Sequence, residues 1–316
     1  MDGAGSAYVT GTTRSRDFPL HNSLQGASAG GADAFVVKLT PAGDALAYST
    51  LLGGSRDDGR NAIAVDAAGA AYVVGVTWSR DFPLQRPLQA TFGGRTDAFA
   101  AKLAPAGDTL VYASYLGDRH HERARGVAVD ADGAAYVTGR AESRSFPFQV
   151  IIDKLRLTHY AVPVVKLTPD GSVLVHFTAL RGDRPDRGNA IAVDSTGAAY
   201  VAGVALVRFQ LLNAEDSGPI RSTTFAAFVA KLKPAGDELA YLTHLDGRDD
   251  ETAMAVAVDA AGVAHVGGTT SSWDFPLAKP LQNRQRSVRE GFVARIVGPA
   301  AEKPELAVAA STSAGP

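Results

Sequence analysis

The stretch Asp66-Ala67-Ala68-Gly69-Ala70-Ala71-Tyr72-Val73-Val74-Gly75 decides the fold, because its pattern returns four more times. It recurs at Asp130 to Gly139, Asp194 to Gly203 and Asp259 to Gly268, and in looser form at Asp2 to Gly11. The aspartates stand 64, 64, 64 and 65 residues apart, so one repeat unit is about 64 residues long.

Working outward from Asp66, unit two holds four short apolar runs, of strand rather than helix length. Run A is Ala62-Ile63-Ala64-Val65 and run B is Ala71-Tyr72-Val73-Val74. Run C is Ala98-Phe99-Ala100-Ala101-Lys102-Leu103, and run D is Leu110-Val111-Tyr112-Ala113-Ser114-Tyr115-Leu116. The A to B link (Asp66-Ala67-Ala68-Gly69) and the C to D link (Ala104-Pro105-Ala106-Gly107-Asp108) are tight-turn chemistry, in which Gly supplies positive φ. Both predict hairpins. Four antiparallel strands per unit, repeated radially, describe an all-β chain: a β-propeller of about five four-stranded blades. Run A is rich in Ala, which suits the crowded axis, whereas Phe99, Tyr112 and Tyr115 fall where blades diverge and more volume must be filled. A linear β-solenoid is the rival architecture, but its coils are usually much shorter than this repeat.

Composition narrows the function classes. A chain of 316 residues with 46% hydrophobic and 20% charged residues is that of a folded domain, and a net charge of −2 argues against a polyanion binder, so no nucleic-acid partner is expected. No apolar run approaches the roughly 20 residues needed for a membrane span. The absence of cysteine excludes disulfides, thiolate metal sites and a cysteine nucleophile. Met1-Asp2-Gly3-Ala4-Gly5 is not a signal peptide, so an export signal would have to lie upstream.

The motifs Asp-x-x-Gly-x-x-Tyr-Val-x-Gly, Thr-x-Ser-x-Asp-Phe-Pro (Thr13 to Pro19 approximately, Thr77 to Pro83, Thr270 to Pro276), Gly-Gly-x-x-Asp-Ala-Phe-x-x-Lys-Leu (Gly93 to Leu103) and Tyr-Leu-Gly together resemble the bacterial SBBP repeat, a seven-bladed β-propeller repeat. The resemblance spans residue 2 to about 297. It implies an extracellular or cell-envelope protein without agreed catalytic residues. Unit three departs from it over Val150 to Tyr160, and unit four has Phe209-Gln210 in place of Phe-Pro. The family name implies seven blades and the chain supplies five at most. A fragment of a longer product is the favoured explanation, ahead of a five-bladed ring or an open arc. The expected units are 1–52, 53–116, 117–180, 181–245 and 246–297, with 298–316 a linker or a degenerate last strand.

One face of such units carries turns of about five residues, while B to C connections such as Val76 to Thr96 run to roughly 20, a length typical of functional or packed loops. Any binding surface is expected there. Of 23 Arg residues all but Arg295 are read into B to C or D to A segments, offset by acids in the same segments. Arg14, Arg16, Arg80, Arg144 and Arg286 are the candidates for an anionic glycan or an acidic partner; a solvated mixed-charge rim is the alternative reading. Asp57, Asp58, Asp249 and Asp250 are the candidate ligands for Ca²⁺, against turn capping by Asp. The recurring Asp66, Asp130, Asp194 and Asp259 and the recurring Lys38, Lys102, Lys166 and Lys231 do one structural job per copy, the Asp as turn former and the Lys as an edge or inter-blade partner. His120-His121 point to opposite sides of an extended segment and make a poor metal pair.

These readings lead to a non-enzymatic extracellular or cell-envelope scaffold that presents long loops to a protein or glycan. The alternative is a hydrolase or lyase acting on polysaccharide or lactone at the central mouth, with Ca²⁺ as its cofactor. No catalytic or cofactor-binding residue is assigned.

Overall fold

The computed structural model describes residues 1–142, 161–180, 186–205, 225–278, 280, 282, 285, 287–297 and 306–311, with residues 60, 61 and 306–311 described by backbone alone. Arg144, Arg286, Asp183, His159, the divergent stretch of unit three and the Phe209-Gln210 pair lie outside the described residues. All the regular structure among them is strand. No helix there is long and apolar enough to cross a membrane.

Five antiparallel sheets follow one another along the chain. The first is β1 (Tyr8–Thr13), β2 (Asp33–Leu39) and β3 (Leu46–Leu52), in that order. The second is β4 (Asp58–Val65), β5 (Ala71–Thr77), β6 (Asp97–Leu103) and β7 (Leu110–Leu116), again in chain order. The third comprises β8 (Glu122–Val129), β9 (Ala135–Ala141), β10 (Val162–Leu167) and β11 (Leu174–Leu180), ordered β11-β10-β9-β8. The fourth is β12 (Arg187–Val193), β13 (Ala199–Ala205), β14 (Ala226–Leu232) and β15 (Leu239–Leu245). The fifth is β16 (Glu251–Val258), β17 (Ala264–Thr270), β18 (Glu290–Ile296) and β19 (Leu306–Ser311). The expected tail thus contains a strand, paired antiparallel to β18 from Ile296↔Leu306 to Gly291↔Ser311. The chain forms two compact units, Met1–Leu157 with Val165–Val175, and Thr158–Val164 with His176–Pro316.

The first strand of each four-stranded unit begins earlier than its apolar run. β4 starts at Asp58, and a bulge between Gly59 and Ala62 separates its polar beginning from Ala62-Ile63-Ala64-Val65. β8 and β16 carry the same bulge, at Ala124/Gly126 and Ala253/Ala255. Arg60, Arg123, Arg125 and Arg187 therefore sit in strands, and Arg140 in β9, rather than in connections. The polar start is held in strand conformation by the buried acid at its head, described below.

The turn chemistry explains the motif with which the sequence analysis began. Asp66 Oδ1 accepts the amides of Ala68 (3.0 Å) and Ala70 (2.9 Å), while its carbonyl accepts Gly69 N (3.0 Å) and Gly69 takes φ of +82°. The other carboxylate oxygen, Oδ2, receives the Tyr72 hydroxyl at 3.0 Å and faces Lys102 Nζ at 3.4 Å. Lys102 also stands over the Tyr72 ring, 4.6 Å from its centre. The same Tyr72 hydroxyl lies 2.9 Å from the carbonyl of Gly133, the turn glycine of the next sheet. Tyr8 makes the corresponding contacts with Asp2 and Gly69, and Tyr200 with Asp194 and Gly262. Each such tyrosine ties its own hairpin to its neighbour's.

A second aromatic contact runs beside the first. Tyr48 of β3 packs on Gly107 and Tyr112 of β7 packs on Gly171, so a side chain at either glycine would enter the ring; His176 of β11 lies on Gly236 in the same way. Around these contacts each unit buries an apolar core of its own, with Val36, Leu52, Val73, Phe99 and Leu103 shielded in the first and Tyr200, Val229, Val266 and Ile296 in the second. The long connections do not leave the sheets. His21 pairs with Ser49 and Gln85 with Ala113, laying each connection along the outer edge strand of its own sheet.

Gly43 and Gly107 both take a positive φ (+74° and +78°), but a Cβ at Gly43 meets open space, whereas one at Gly107 meets the Tyr48 ring. Gly43→Ala should therefore cost only the left-handed backbone penalty, about 1 kcal/mol. Gly107→Ala should cost about 2 kcal/mol more, from overpacking. Urea denaturation of both variants checks this, and equal losses would contradict the packing described.

Candidate functional site

The end of each sheet opposite the hairpin turns carries the long connections, and the motif Thr-x-Ser-x-Asp-Phe-Pro organises it. In the second sheet Thr77 Oγ1 accepts Ser79 N at 2.9 Å. Ser79 Oγ accepts Arg56 N at 2.9 Å and donates to Asp58 Oδ2 at 2.8 Å. Asp81 Oδ1 accepts both the amide and the hydroxyl of Ser55, each at 2.9 Å, and Asp58 Oδ2 accepts Gly54 N at 2.7 Å. Phe82 then turns inward onto Phe99, ring centres 4.5 Å apart, and its amide donates to the Tyr115 hydroxyl. The motif is thus a clamp on the connection from β3 to β4. Its backbone amides face inward and are satisfied by side chains, as buried polar groups require.

The fifth sheet repeats the clamp. Thr270 Oγ1 accepts Ser272 N at 3.0 Å, Ser272 Oγ accepts Asp249 N at 2.7 Å, Asp274 Oδ1 accepts Arg248 N at 3.0 Å, and Glu251 Oε2 accepts Gly247 N at 2.9 Å. Apart from the local Thr–Ser bonds, the bonds of the motif's Ser and Asp side chains join residues 21 to 26 positions apart, so both flanks of the site are cross-braced.

One side chain per clamp is left outside it, the residue between Ser and Asp. It is Arg16 in the first sheet, Arg80 in the second and Trp273 in the fifth, all exposed, with Trp273 at 69%. Arg144 occupies the same sequence position in unit three. Arg80 lies 5.9 Å from the Phe92 ring centre, and Arg248 lies 5.4 Å from that of Trp273 while its Nε faces Asp274 Oδ2 at 3.4 Å. Arg14 reaches Asp57 at 3.4 Å as an exposed ion pair, of a kind worth little to stability.

The candidate calcium ligands do not come together. Asp57 is exposed and spends Oδ1 on the Ala32 amide (2.9 Å), while Asp58 turns into the interior, as neighbours on an extended chain must. Asp249 is exposed, and Asp250 Oδ1 accepts Phe225 N at 3.3 Å. Among the described residues no three His, Cys, Asp or Glu side chains converge as a metal group. His121 Nδ1 instead lies 3.1 Å from Thr96 Oγ1.

The sequence reading missed a line of buried acids. Asp58, Glu122, Asp186 and Glu251 head β4, β8 and β16 and the segment entering β12, and all four are buried. The signal was present as an acid at 64-residue intervals, hidden among exposed loop acids. Burial pushes the Asp58 and Glu251 carboxyls above the usual carboxylate range, against the hydrogen bonds that favour ionisation. Asp97, which heads β6, is raised to about 6 by burial, with the amides of Gly93 and Gly94 opposing and Asp118 adding to the shift.

No protein-family model matches the chain, and no curated protein matches it.

Asp97 gives the site a pH dependence. A carboxyl whose folded-state pKa lies above its unfolded value of about 3.9 binds its proton more tightly when folded, so its contribution to stability is lost as pH rises from about 4 to about 6. Asp194 has the opposite sign: burial raises it, but bonds from Thr196, Tyr200 and Ala198 N hold it at about 2, so its contribution is lost as pH falls below about 4. In buffer containing EDTA, the midpoint of thermal unfolding should rise as pH falls from about 6 to about 4 and drop below about 4. Asp97→Asn should flatten the first limb and leave the second; an unchanged first limb in calorimetry would contradict this assignment.

Proposed function

We propose that the chain is a β-propeller repeat scaffold of the SBBP type, built from five units, that works outside the cell by presenting the tips of its long connections to a protein or glycan partner. The observation that carries this reading is the clamp itself. In the second and fifth sheets it ties Ser and Asp to the preceding connection and turns Phe inward, and in each copy the side chain between Ser and Asp, Arg16, Arg80 or Trp273, is exposed. A scaffold constant in its supports and variable in its display is the arrangement of a recognition surface rather than of a reaction centre. Arginine and tryptophan are also the residues that contribute most at interfaces, by bidentate pairing and by large rigid contact area.

The remaining chemistry agrees. The recurring Asp, Tyr and Lys at the hairpin end are bonded to one another and to the next turn, so they are occupied in holding sheets together. The extracellular setting and the propeller closure rest on the repeat resemblance.

The test is binding of the labelled chain to an array of anionic and neutral glycans and to surface-protein extracts. Trp273→Ala and Arg80→Ala should each weaken the binding found by about tenfold, as expected for truncation of an interface anchor. Asp132→Ala, at an exposed hairpin turn on the opposite end of its sheet, should leave it unchanged. Equal losses from both ends would sink the display reading.

A further inference from the structure

Asp33 and Asp58, which the display reading leaves unused, head β2 and β4 in neighbouring sheets of the first compact unit. Their relative exposures are 0% and 1%. Asp33 Oδ2 accepts Ala29 N at 2.8 Å, and Asp58 Oδ2 accepts Gly54 N and Ser79 Oγ. The remaining oxygen of Asp33, Oδ1, is buried and has no hydrogen-bond partner, and the Asp58 carboxyl is buried beside the Thr77 hydroxyl.

The two carboxylates converge on Gly53. Asp33 Oδ1 fills the space that a Cβ at Gly53 would need, and Asp58 Oδ2 lies 3.0 Å from the same point. Gln25 Oε1 joins them there, accepting Gly53 N at 3.0 Å. Among the described residues no lysine, arginine or histidine is within ion-pair range of either acid. Two desolvated carboxylates this close repel each other, and open oxygens in a dry interior need a positive partner.

The neighbouring pocket of the second sheet shows what a saturated version looks like. Asp97 takes the position of Asp33, with Oδ2 accepting Gly93 N at 2.7 Å and Oδ1 accepting Gly94 N at 3.2 Å. The counterpart of Gly94 is Gly30, whose amide makes no such bond to Asp33, so Asp33 Oδ1 is left open. The open oxygen thus distinguishes Asp33 from its counterpart Asp97.

We propose that Asp33 and Asp58 together hold one calcium ion between the first and second sheets, with Asp33 Oδ1 and the Asp58 carboxylate as ligands. The donors gathered here are all oxygens, from two carboxylates, the Gln25 amide and the Ser79 hydroxyl. That set selects a hard cation over zinc or copper. The enclosed position leaves little room for the water shell that magnesium retains, which favours calcium. The ion ties the connection entering β2 to the connection entering β4, and so braces the tip that carries Arg80. This inference concerns stability and does not depend on the partner proposed above.

Calcium content after equilibrium dialysis at pH 7.5, together with the unfolding midpoint of EDTA-treated protein on adding calcium or magnesium, tests it. One calcium per chain and a saturable rise of several degrees are expected, with a smaller response to magnesium. Asp33→Asn, whose amide oxygen still accepts Ala29 N, should lose both the bound ion and the shift, while Asp97→Asn should keep both. Absence of stoichiometric calcium from the unaltered protein would overturn the proposal and leave a shared proton as the bridge. Retention of the ion by Asp33→Asn would overturn it as well, by placing the ion elsewhere.

Discussion

The hydroxyl of a strand tyrosine, set between the carboxylate of its own hairpin and the turn carbonyl of the next sheet, is the contact on which the stacking depends. Tyr72 has a single hydrogen to give, and both Asp66 Oδ2 and Gly133 O lie within hydrogen-bond distance of it. That hydrogen is worth more between two acceptors because Lys102 neutralises the carboxylate from the other side and covers the ring. Removing any one member strands the others: the Lys would lose its counter-ion and the turn its cap. In the fifth sheet the tyrosine is replaced by His265, which keeps the bond to its aspartate, Asp259, at 3.1 Å.

The two ends of each sheet solve the problem of buried charge in different ways. At the hairpin end an acid is matched by a lysine, and its hydrogen bonds outweigh burial, so Asp66 and Asp194 ionise more easily than usual. At the connection end Asp58 and Glu251 are held by amides and hydroxyls without a base, burial dominates, and their carboxyls are harder to ionise. One end is thus permanently charged and locked by ion pairs. The other is poised, its charge dependent on what protons or cations the solution supplies. A scaffold with a rigid end and a responsive end places its adaptable chemistry where its variable side chains are.

Much of this was legible in the sequence, and the parts that were not have physical reasons. The period, the hairpin turns and the strand runs followed from Gly at fixed offsets and from runs such as Ala71 to Val74, because turn geometry and strand alternation are local properties. The heads of β4, β8 and β16 were read as loop, since Asp58-Gly59-Arg60 and Glu122-Arg123 look solvent-directed; only tertiary bonds, from Gly54 and Ser79 in the first case, turn such acids inward. The Thr-x-Ser-x-Asp-Phe-Pro motif could be recognised but not interpreted, because its partners lie more than 20 residues away, as Ser55 does from Asp81. The tyrosine was passed over as one more apolar residue of a strand. Its polar end matters only once the neighbouring turn is in place.

The connections that run along the outer strands have a consequence for how the molecule meets others like it. An unpaired strand edge is a template on which any extended chain can crystallise, and proteins built from many small sheets multiply that hazard. Here Gln85 exchanges both backbone bonds with Ala113, and His21 does so with Ser49, so the middle of the outer strand in each of the first two sheets is already spoken for by its own polypeptide. The same residues that carry the display tips outward act on their way as selvedges, finishing the fabric so that it does not ravel into its neighbours in a crowded medium.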